Sequence, residues 1–295
     1  MPGAVLLNLK STKHNWAFKG EPEPELAGRQ LQHDRGKTLG GSSSINGMVF
    51  IRGNSLDYEG WRQMGCDGWG YADVLPYFKK MESYSGGGDD FRGDSGPLRV
   101  HRSVPKDPLS IAFIKAGKEA GYKETDDISG YCQEGFGIFD RTVFKGERWS
   151  TTRGYLDPVR DRKNLTIITK ALVCKLILEN NKAKGVCFKD NKNKIFNVKS
   201  NKEVILCAGA VGSPHILMLS GIGPKDHLKS MGINLIADMP GVGQNLQDHP
   251  DFMIKYKCLK PVTLWPKTKR LNSIGAGIQW LLTKEGMCAS IHFDS

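Results

Sequence analysis

The chain has 295 residues, of which 39% are hydrophobic, and its formal net charge is +11. This length and composition exclude intrinsic disorder and allow one large or two small domains with apolar cores. No run of about eighteen apolar residues occurs, so we expect no transmembrane helix. The lysines are dispersed, ten of them between Lys163 and Lys202. Such dispersal favours a solvated surface over a nucleic-acid-binding site.

The most distinctive segment is residues 36–61, GKTLGGSSSINGMVFIRGNSLDYEGW. Glycines let a main chain approach a ligand closely, and hydroxyls can bind phosphate or ribose oxygens. The residues concerned are Gly36, Gly40, Gly41, Gly47, Ser42, Ser43 and Ser44. A flexible Gly-Ser linker would stay polar, whereas the apolar residues Ile45, Met48, Val49, Phe50 and Ile51 follow here. The segment therefore predicts a ligand-binding loop.

The periodicity of apolar residues predicts helices over residues 73–82, 107–120, 215–220 and 274–282. Asp107 and Pro108 form a strong helix start, and the helix after them carries an apolar stripe. Its members are Leu109, Ala112, Phe113, Ala116 and Ala120, with Gly121 as the stop. Ser213 and Pro214 predict the cap and first turn of the third helix, and Gly286 predicts the end of the fourth.

Five short segments separated by Asn, Lys and Asp turns predict strands: residues 165–168, 172–178, 185–188, 195–198 and 204–207. Together the five segments predict a meander, with a possible hairpin turn near Asn180 and Asn181. The last segment precedes a small-residue turn and a helix, which is where doubly wound sheets hold ligands.

The seven cysteines show no CxxC pair and no metal-ligand spacing. An odd count cannot pair completely within one chain, and a reducing compartment fits best. Cys174 and Cys187 could face each other across the hairpin, but buried free thiols are the favoured interpretation.

Two long signatures carry a family resemblance. Residues 36–83 form the first, and GAVGSPHILMLSGIGP (209–224) with PGVGQNLQDHP (240–250) forms the second. Together they resemble the glucose-methanol-choline (GMC) family of FAD-dependent oxidoreductases. Three further segments, residues 130–156, 260–264 and 277–286, resemble the choline-oxidising members of that family.

The resemblance implies an α/β fold: an incomplete FAD-binding doubly wound sheet with a β-meander over residues 1–250. The beginning of an antiparallel-sheet substrate domain would occupy residues 251–295. No GxGxxG occurs; GVGQNL at 241–246 is the nearest match and reads as a turn. We expect the first βαβ unit to be absent and the catalytic histidine of the family to lie beyond Ser295, in a longer enzyme.

By resemblance, the FAD contacts fall into three sets. Thr38, Gly40, Gly41 and Ser42 would lie near the pyrophosphate and flavin, and Asn46, Gly47, Met48 and Val49 against the isoalloxazine ring. Val173 would contact the adenine side, although an ordinary strand residue is an almost equal alternative. Ile45 stands where relatives with covalently bound flavin carry histidine, so FAD would be held non-covalently.

The implied reaction is oxidation of an alcohol, most closely choline, with a quinone as an example of the electron acceptor. Asp251 could face the quaternary ammonium group, or could be a surface residue that starts a strand. His249 is favoured as structural, and Arg148, Trp149 and Ser150 as packing and ion-pairing residues. Another alcohol or sugar as substrate, and a non-catalytic remnant with a binding or structural role, remain alternatives. The resemblance suggests mitochondria, but the residues themselves identify no location.

Overall fold

The structure is a computed structural model that describes residues 1–104, 107–249, 254–264 and 268–290. The chain divides into two compact units. The first comprises Met1–Arg162 and Lys257–Ser295, and the second comprises Lys163–Tyr256.

The helices are α1 (Val5–Leu9), α2 (Ser55–Gln63), α3 (Tyr71–Met81), α4 (Pro108–Glu119), α5 (Gly209–Leu219), α6 (Lys225–Ser230) and α7 (Arg270–Thr283). The strands are β1 (Phe18–Lys19), β2 (Gln32–His33), β3 (Val49–Phe50), β4 (Glu82–Tyr84), β5 (Leu98–Arg102), β6 (Asp140–Arg141), β7 (Val143–Phe144), β8 (Glu147–Arg148), β9 (Leu172–Glu179), β10 (Lys182–Lys189), β11 (Ile195–Lys199), β12 (Ile222–Gly223) and β13 (Ala237–Asp238).

The first unit is organised around a four-stranded sheet with the order β3-β6-β5-β4. Strands β4 and β5 are parallel, and the other neighbours are antiparallel. Met48 and Val100 lie fully buried beside it, with Ile45, Leu98 and Ile128 almost as deeply buried. Because β3 lies within residues 36–61 and directly follows the glycine-rich loop of residues 36–48, this sheet anchors one end of that loop.

Arg92 is a second buried centre of the first unit. Its Nη1 donates to Asp140 Oδ2 at 2.9 Å and to Asp127 Oδ1 at 2.8 Å, and its Nε donates to Glu82 Oε1 at 3.1 Å. The same Glu82 oxygen accepts from Arg52. Buried charges of this kind persist because each has partners of opposite sign.

The predicted meander of the second unit is confirmed for its middle three strands. Strands β9, β10 and β11 form an antiparallel sheet in the order β11-β10-β9. Between β9 and β10, Asn180 and Asn181 have φ values of 52° and 59°. Two consecutive left-handed residues give the tight hairpin turn whose twist matches that of the strands, and asparagine tolerates this conformation well.

Three of the predicted helices are confirmed as α3, α4 and α7. Asp107 caps α4, since its carboxylate accepts from Leu109 N at 2.8 Å, and Gly121 has a φ of 87° after the last turn. The apolar stripe of α4 lies on the surface, with Leu109 and Phe113 exposed. The buried residue of the helix is Gly117, which lets the Phe136 ring approach its backbone.

Two predicted strands and one predicted cap were wrong. Residues 165–168 and 204–207 do not belong to a strand of the described chain, because no neighbouring segment there supplies their hydrogen-bond ladder. Helix α5 begins at Gly209 and contains Pro214 in its interior, so Ser213 and Pro214 are not its cap and first turn. Ser213 Oγ instead accepts from Ala208 N at 3.1 Å.

The α/β fold class is confirmed by this mixture of helices and sheets. Among the described strands, β4 with β5 and β12 with β13 pair in parallel, and Glu124 and Phe136 form an isolated parallel bridge. The described part of residues 251–295 contains α7 and no strand, and the expected domain boundary at residue 250 remains a prediction. No helix within the described ranges has the length and apolarity needed to cross a bilayer.

All seven cysteines are free thiols. Cys187 is buried as predicted, whereas Cys174 is only half-buried. Cys288 is also buried. Cys66, Cys132, Cys207 and Cys258 are exposed, so burial is not the general rule for the cysteines of this chain.

Candidate functional site

The glycine-rich segment is an ordered loop. Gly40 and Gly41 have φ values of 82° and 54°, a short 3-10 turn covers Gly41–Ser44, and Met48, at a φ of 63°, leads into β3. A Cβ on Gly40 would lie 2.6 Å from both Ser44 Oγ and Thr152 Oγ1. Glycine at position 40 is therefore required both by the left-handed backbone and by the close approach of these hydroxyls.

The serines hold the loop together. Ser43 Oγ donates to Gly40 O at 2.6 Å, and Ser44 Oγ donates to Leu39 O at 2.7 Å. Ser42 Oγ accepts from Gly36 N at 3.1 Å and keeps its own proton. Of the three hydroxyls, that of Ser42 is the one whose proton is available to a ligand.

A second segment braces the loop from a distant part of the sequence. Thr151 N donates to Ser43 Oγ at 3.0 Å, and Thr151 Oγ1 donates to Gly40 O at 3.3 Å. Thr142 N donates to Met48 O at 2.9 Å. The loop conformation is thus fixed by tertiary contacts as well as by its own residues.

Arg148 is a loop-contacting residue whose importance sequence reasoning undervalued. Its Nη1 donates to Ser43 O at 3.0 Å and to Asn46 Oδ1 at 2.8 Å. Its Nη2 is buried and has no hydrogen-bond acceptor. Burial lowers the pKa of this guanidinium to about 10.

The expected ion pairing of Arg148 was wrong. Glu147, the adjacent carboxylate, pairs with Arg153 at 2.7 Å and lies 3.7 Å from Lys284 Nζ. No carboxylate among the described residues forms a salt bridge with Arg148. Glu147 and Arg148 are adjacent in sequence, but their side chains have different partners. The sequence contains no signal of that difference.

The loop has space for a ligand to approach its backbone. A Cβ placed on Gly41 or Gly47 would meet no atom within 4 Å. Thr38, Ser42 and Asn46 are exposed along the same loop. The accessible main chain of the loop lies next to the positive charge of Arg148. This arrangement suits a ligand rich in phosphate and carbonyl oxygens, such as FAD. The residues present therefore fit the cofactor.

The structure brings most of the predicted cofactor residues into this loop: Thr38, Gly40, Gly41, Ser42, Asn46, Gly47, Met48 and Val49. Met48 is fully buried, and its N–H donates to Asn46 Oδ1 at 3.1 Å. Val173 lies on β9 of the second unit, paired with Phe188. Asp251 lies outside the described residues. The individual ligand roles of all these residues remain predictions.

A groove in the second unit and His249 are two further features of the described chain. The second unit has a groove of about 560 Å³, lined mainly by aliphatic residues such as Leu176, Leu178 and Ile236, and by none of the predicted site residues. His249 is exposed, and its backbone N–H donates to Asp248 Oδ1 at 2.9 Å. The described chain has no cluster of His, Cys, Asp or Glu that could bind a metal ion.

Comparison with known families identifies the class. The family profile of GMC oxidoreductases matches residues 19–251. The chain belongs to this family of FAD-dependent oxidoreductases, which confirms the resemblance seen in the sequence.

Curated relatives show which members of the family the chain is similar to. The chain is 46% identical over 295 residues to an oxygen-dependent choline dehydrogenase of Brucella ovis, covering 100% of this chain and 53% of that protein. The enzyme of the same name from Ectopseudomonas mendocina is also 46% identical, with the same coverage. The chain therefore spans about half the length of the curated relatives that it matches.

Solved structures show the same fold. A formate oxidase from Aspergillus oryzae superposes with a TM-score of 0.85 at 26% identity, covering 99% of this chain and 52% of that one. An FAD-dependent oxidoreductase from Chaetomium thermophilum gives a TM-score of 0.84 at 30% identity, with 94% and 51% covered. Pyridoxine 4-oxidase from Mesorbium loti gives 0.76 at 33% identity, with 81% and 47% covered.

Proposed function

We propose that the whole protein to which this chain belongs oxidises choline to betaine aldehyde, with FAD as the hydride acceptor. One observation carries the proposal: relatives 46% identical over the entire chain are named choline dehydrogenases. The glycine-rich loop supports it, because the open backbone at Gly41 and Gly47 leaves room for a flavin.

In this proposal the chain positions the cofactor. When bound, FAD supplies the redox chemistry by accepting a hydride from the alcohol carbon. The left-handed backbone at Gly40 and Gly41 shapes the loop, Ser42 offers a hydroxyl proton, and Asn46 is held in place by Arg148. We assign none of the seven histidines as the catalytic base.

We propose that the cofactor is held non-covalently. Ile45 occupies the position where covalent attachment needs a histidine, and its side chain is only 3% exposed. An aliphatic side chain cannot form the bond, and this one packs into the core. The cofactor should therefore leave the protein on acid denaturation and stay in the supernatant after precipitation.

The substrate is tested by turnover of the whole protein with choline, glucose and benzyl alcohol. We expect kcat/KM to be highest for choline. Preference for glucose or benzyl alcohol would favour the alternative, a GMC dehydrogenase of another alcohol or sugar, and would refute choline as the substrate.

The electron acceptor is a separate part of the proposal. A quinone is one candidate, and oxygen is the other because the relatives are named oxygen-dependent. Oxygen uptake during choline turnover, compared with quinone reduction under nitrogen, distinguishes the two.

We also propose that Asp251 faces the quaternary ammonium group of choline. A carboxylate close to a permanent cation stabilises the bound substrate, so Asp251→Asn should reduce kcat/KM for choline about tenfold or more. The matched control is 3,3-dimethylbutan-1-ol, a neutral molecule of the same shape, whose turnover should change little. Equal losses for both alcohols would instead indicate that Asp251 is structural.

A further inference from the structure

Arg148 carries a positive charge, and no carboxylate among the described residues forms a salt bridge with it. Its two hydrogen-bond acceptors, Ser43 O and Asn46 Oδ1, are neutral and both belong to the glycine-rich loop. Its remaining terminal nitrogen, Nη2, is buried and makes no hydrogen bond. Arg148 is half-buried as a residue, whereas Arg92 of the same unit is fully buried and pairs with Glu82 and Asp140, as buried arginines usually do with carboxylates.

The surroundings of Arg148 do not explain this charge as part of an internal ion pair. Glu147 is engaged by Arg153 and Lys284 on the other side of β8. Thr152 Oγ1, next to Gly40, is a second buried polar atom without a partner. Two polar atoms without a protein partner thus border the same loop, and burying such atoms costs free energy unless water or a bound molecule satisfies them.

We propose that Arg148 is a positioning residue for the flavin: its guanidinium fixes the Ser43–Asn46 turn and places an uncompensated positive charge behind it for the negative charge of the reduced cofactor. This inference rests on the proposed function, because it requires that FAD binds at this loop. Arg148 acts through Asn46 and through its field. It is not itself a catalytic residue, because Nη2 is buried behind the loop.

Reduction of a flavin by hydride adds negative charge to its ring system. A nearby cation in a site of low dielectric stabilises that charge more than the neutral oxidised form, so it makes reduction more favourable. Arg148 should therefore influence both how tightly FAD is bound and how readily it is reduced.

The test uses Arg148→Gln and Arg148→Lys in the FAD-loaded whole protein, with Arg160→Gln as the matched control. Arg160 forms an exposed pair with Asp157 at 2.7 Å, away from the loop contacts described above. The measurements are the FAD dissociation constant, by flavin fluorescence, and the midpoint potential of the bound flavin.

We expect Arg148→Gln to weaken FAD binding about tenfold or more, since it removes charge-assisted hydrogen bonds to the loop. We also expect it to move the midpoint potential to a more negative value. Arg148→Lys should keep a potential close to that of the unmutated protein, because the charge is retained, while FAD binding stays weaker. Arg160→Gln should change neither quantity.

The outcomes separate the inference from the function on which it rests. An unchanged potential and affinity in Arg148→Gln, with normal FAD binding by the unmutated protein, would overturn the role of Arg148 and leave the proposed function intact. If both variants bind FAD more weakly but keep the midpoint potential unchanged, Arg148 only stabilises the loop conformation. That outcome would also refute the inference. No FAD binding by the unmutated protein would refute the proposed function itself.

Hydrogen exchange in the whole protein without FAD provides a measurement that needs no cofactor. Amides of residues 43–48 should lose protection in Arg148→Gln and keep it in Arg160→Gln. Unchanged protection in both would contradict the positioning role.

Discussion

Individual glycines in the loop have different physical roles, although they look alike in sequence. Gly40 is confined by a left-handed backbone and by two hydroxyl oxygens at 2.6 Å from a would-be Cβ. Gly47 has open space around that position. The first glycine is thus required by the protein, and the second is available to a ligand.

This contrast gives a paired prediction. Gly40→Ala should lower the free energy of unfolding by about 1–3 kcal/mol, because alanine is strained at this φ. Gly47→Ala should change it by less than about 0.5 kcal/mol, yet weaken FAD binding in the whole protein because its methyl group would stand where the flavin approaches. Urea unfolding and flavin fluorescence measure the two effects. Equal stability losses in both variants would contradict the distinction.

Glu82 is a second residue whose substitution should change the free energy of unfolding strongly, because its charge is buried. The Glu82 side chain has no exposed surface and accepts from Arg52, Arg92 and Gly93 N. Glu82→Gln should cost about 3–5 kcal/mol, since it leaves buried arginines short of counter-charge.

The control for Glu82 is Glu59, whose pair with Arg62 at 2.8 Å is exposed. Glu59→Gln should cost less than about 1 kcal/mol. Chemical denaturation of both variants checks the difference, and similar midpoints would show that the buried network contributes little.

At the scale of the element, helix α4 is stabilised more by the residues at its N-terminus than by packing of its apolar side chains. Leu109 and Phe113 are exposed, and Gly117 is the residue that is buried. The helix therefore depends on the cap at Asp107 and on Pro108 at its first position.

Asp107→Ala should destabilise the first unit by about 1 kcal/mol, because the amide of Leu109 loses its acceptor. Asp107→Asn keeps a side-chain oxygen and should retain most of the stability. Thermal unfolding of both variants tests this, and a neutral effect of the alanine would show that the helix needs no cap.

At the scale of the molecule, the accessible surface is large for the mass of the chain. The accessible area is 21,103 Å² for a mass of 32.6 kDa. A compact monomer of that mass exposes about 12,400 Å², and two separate globular domains sharing it expose about 15,000 Å². The excess includes large apolar side chains such as Leu56, Tyr256, Leu259 and Leu282.

The 295-residue chain purified by itself should therefore bind a hydrophobic dye and self-associate, because exposed apolar patches of this extent are normally covered. It should also be nearly colourless, since its sequence has no GxGxxG turn for the ADP moiety. Light scattering, dye fluorescence and absorbance at the flavin bands test this, with the whole protein as the control. A yellow, monomeric, dye-free chain would contradict the expectation. A colourless whole protein would instead favour a non-catalytic remnant.

Local sequence determined much of this protein. The glycine-rich loop, the Asp107 cap, the Asn180–Asn181 hairpin and the family could all be predicted, because each depends on neighbouring residues or on a continuous signature. The middle three strands of the meander followed from the same short-range signals.

Tertiary structure alone decided the rest. The Arg148–Ser43 hydrogen bond joins positions 105 residues apart, and nothing near Arg148 in sequence indicates that Glu147 pairs elsewhere. Residues 165–168 and 204–207 have the composition of strands, but a strand also needs a neighbour with which to share hydrogen bonds. Whether a side chain is paired, buried or exposed depends on what the folded chain places beside it, and a linear pattern does not contain that information.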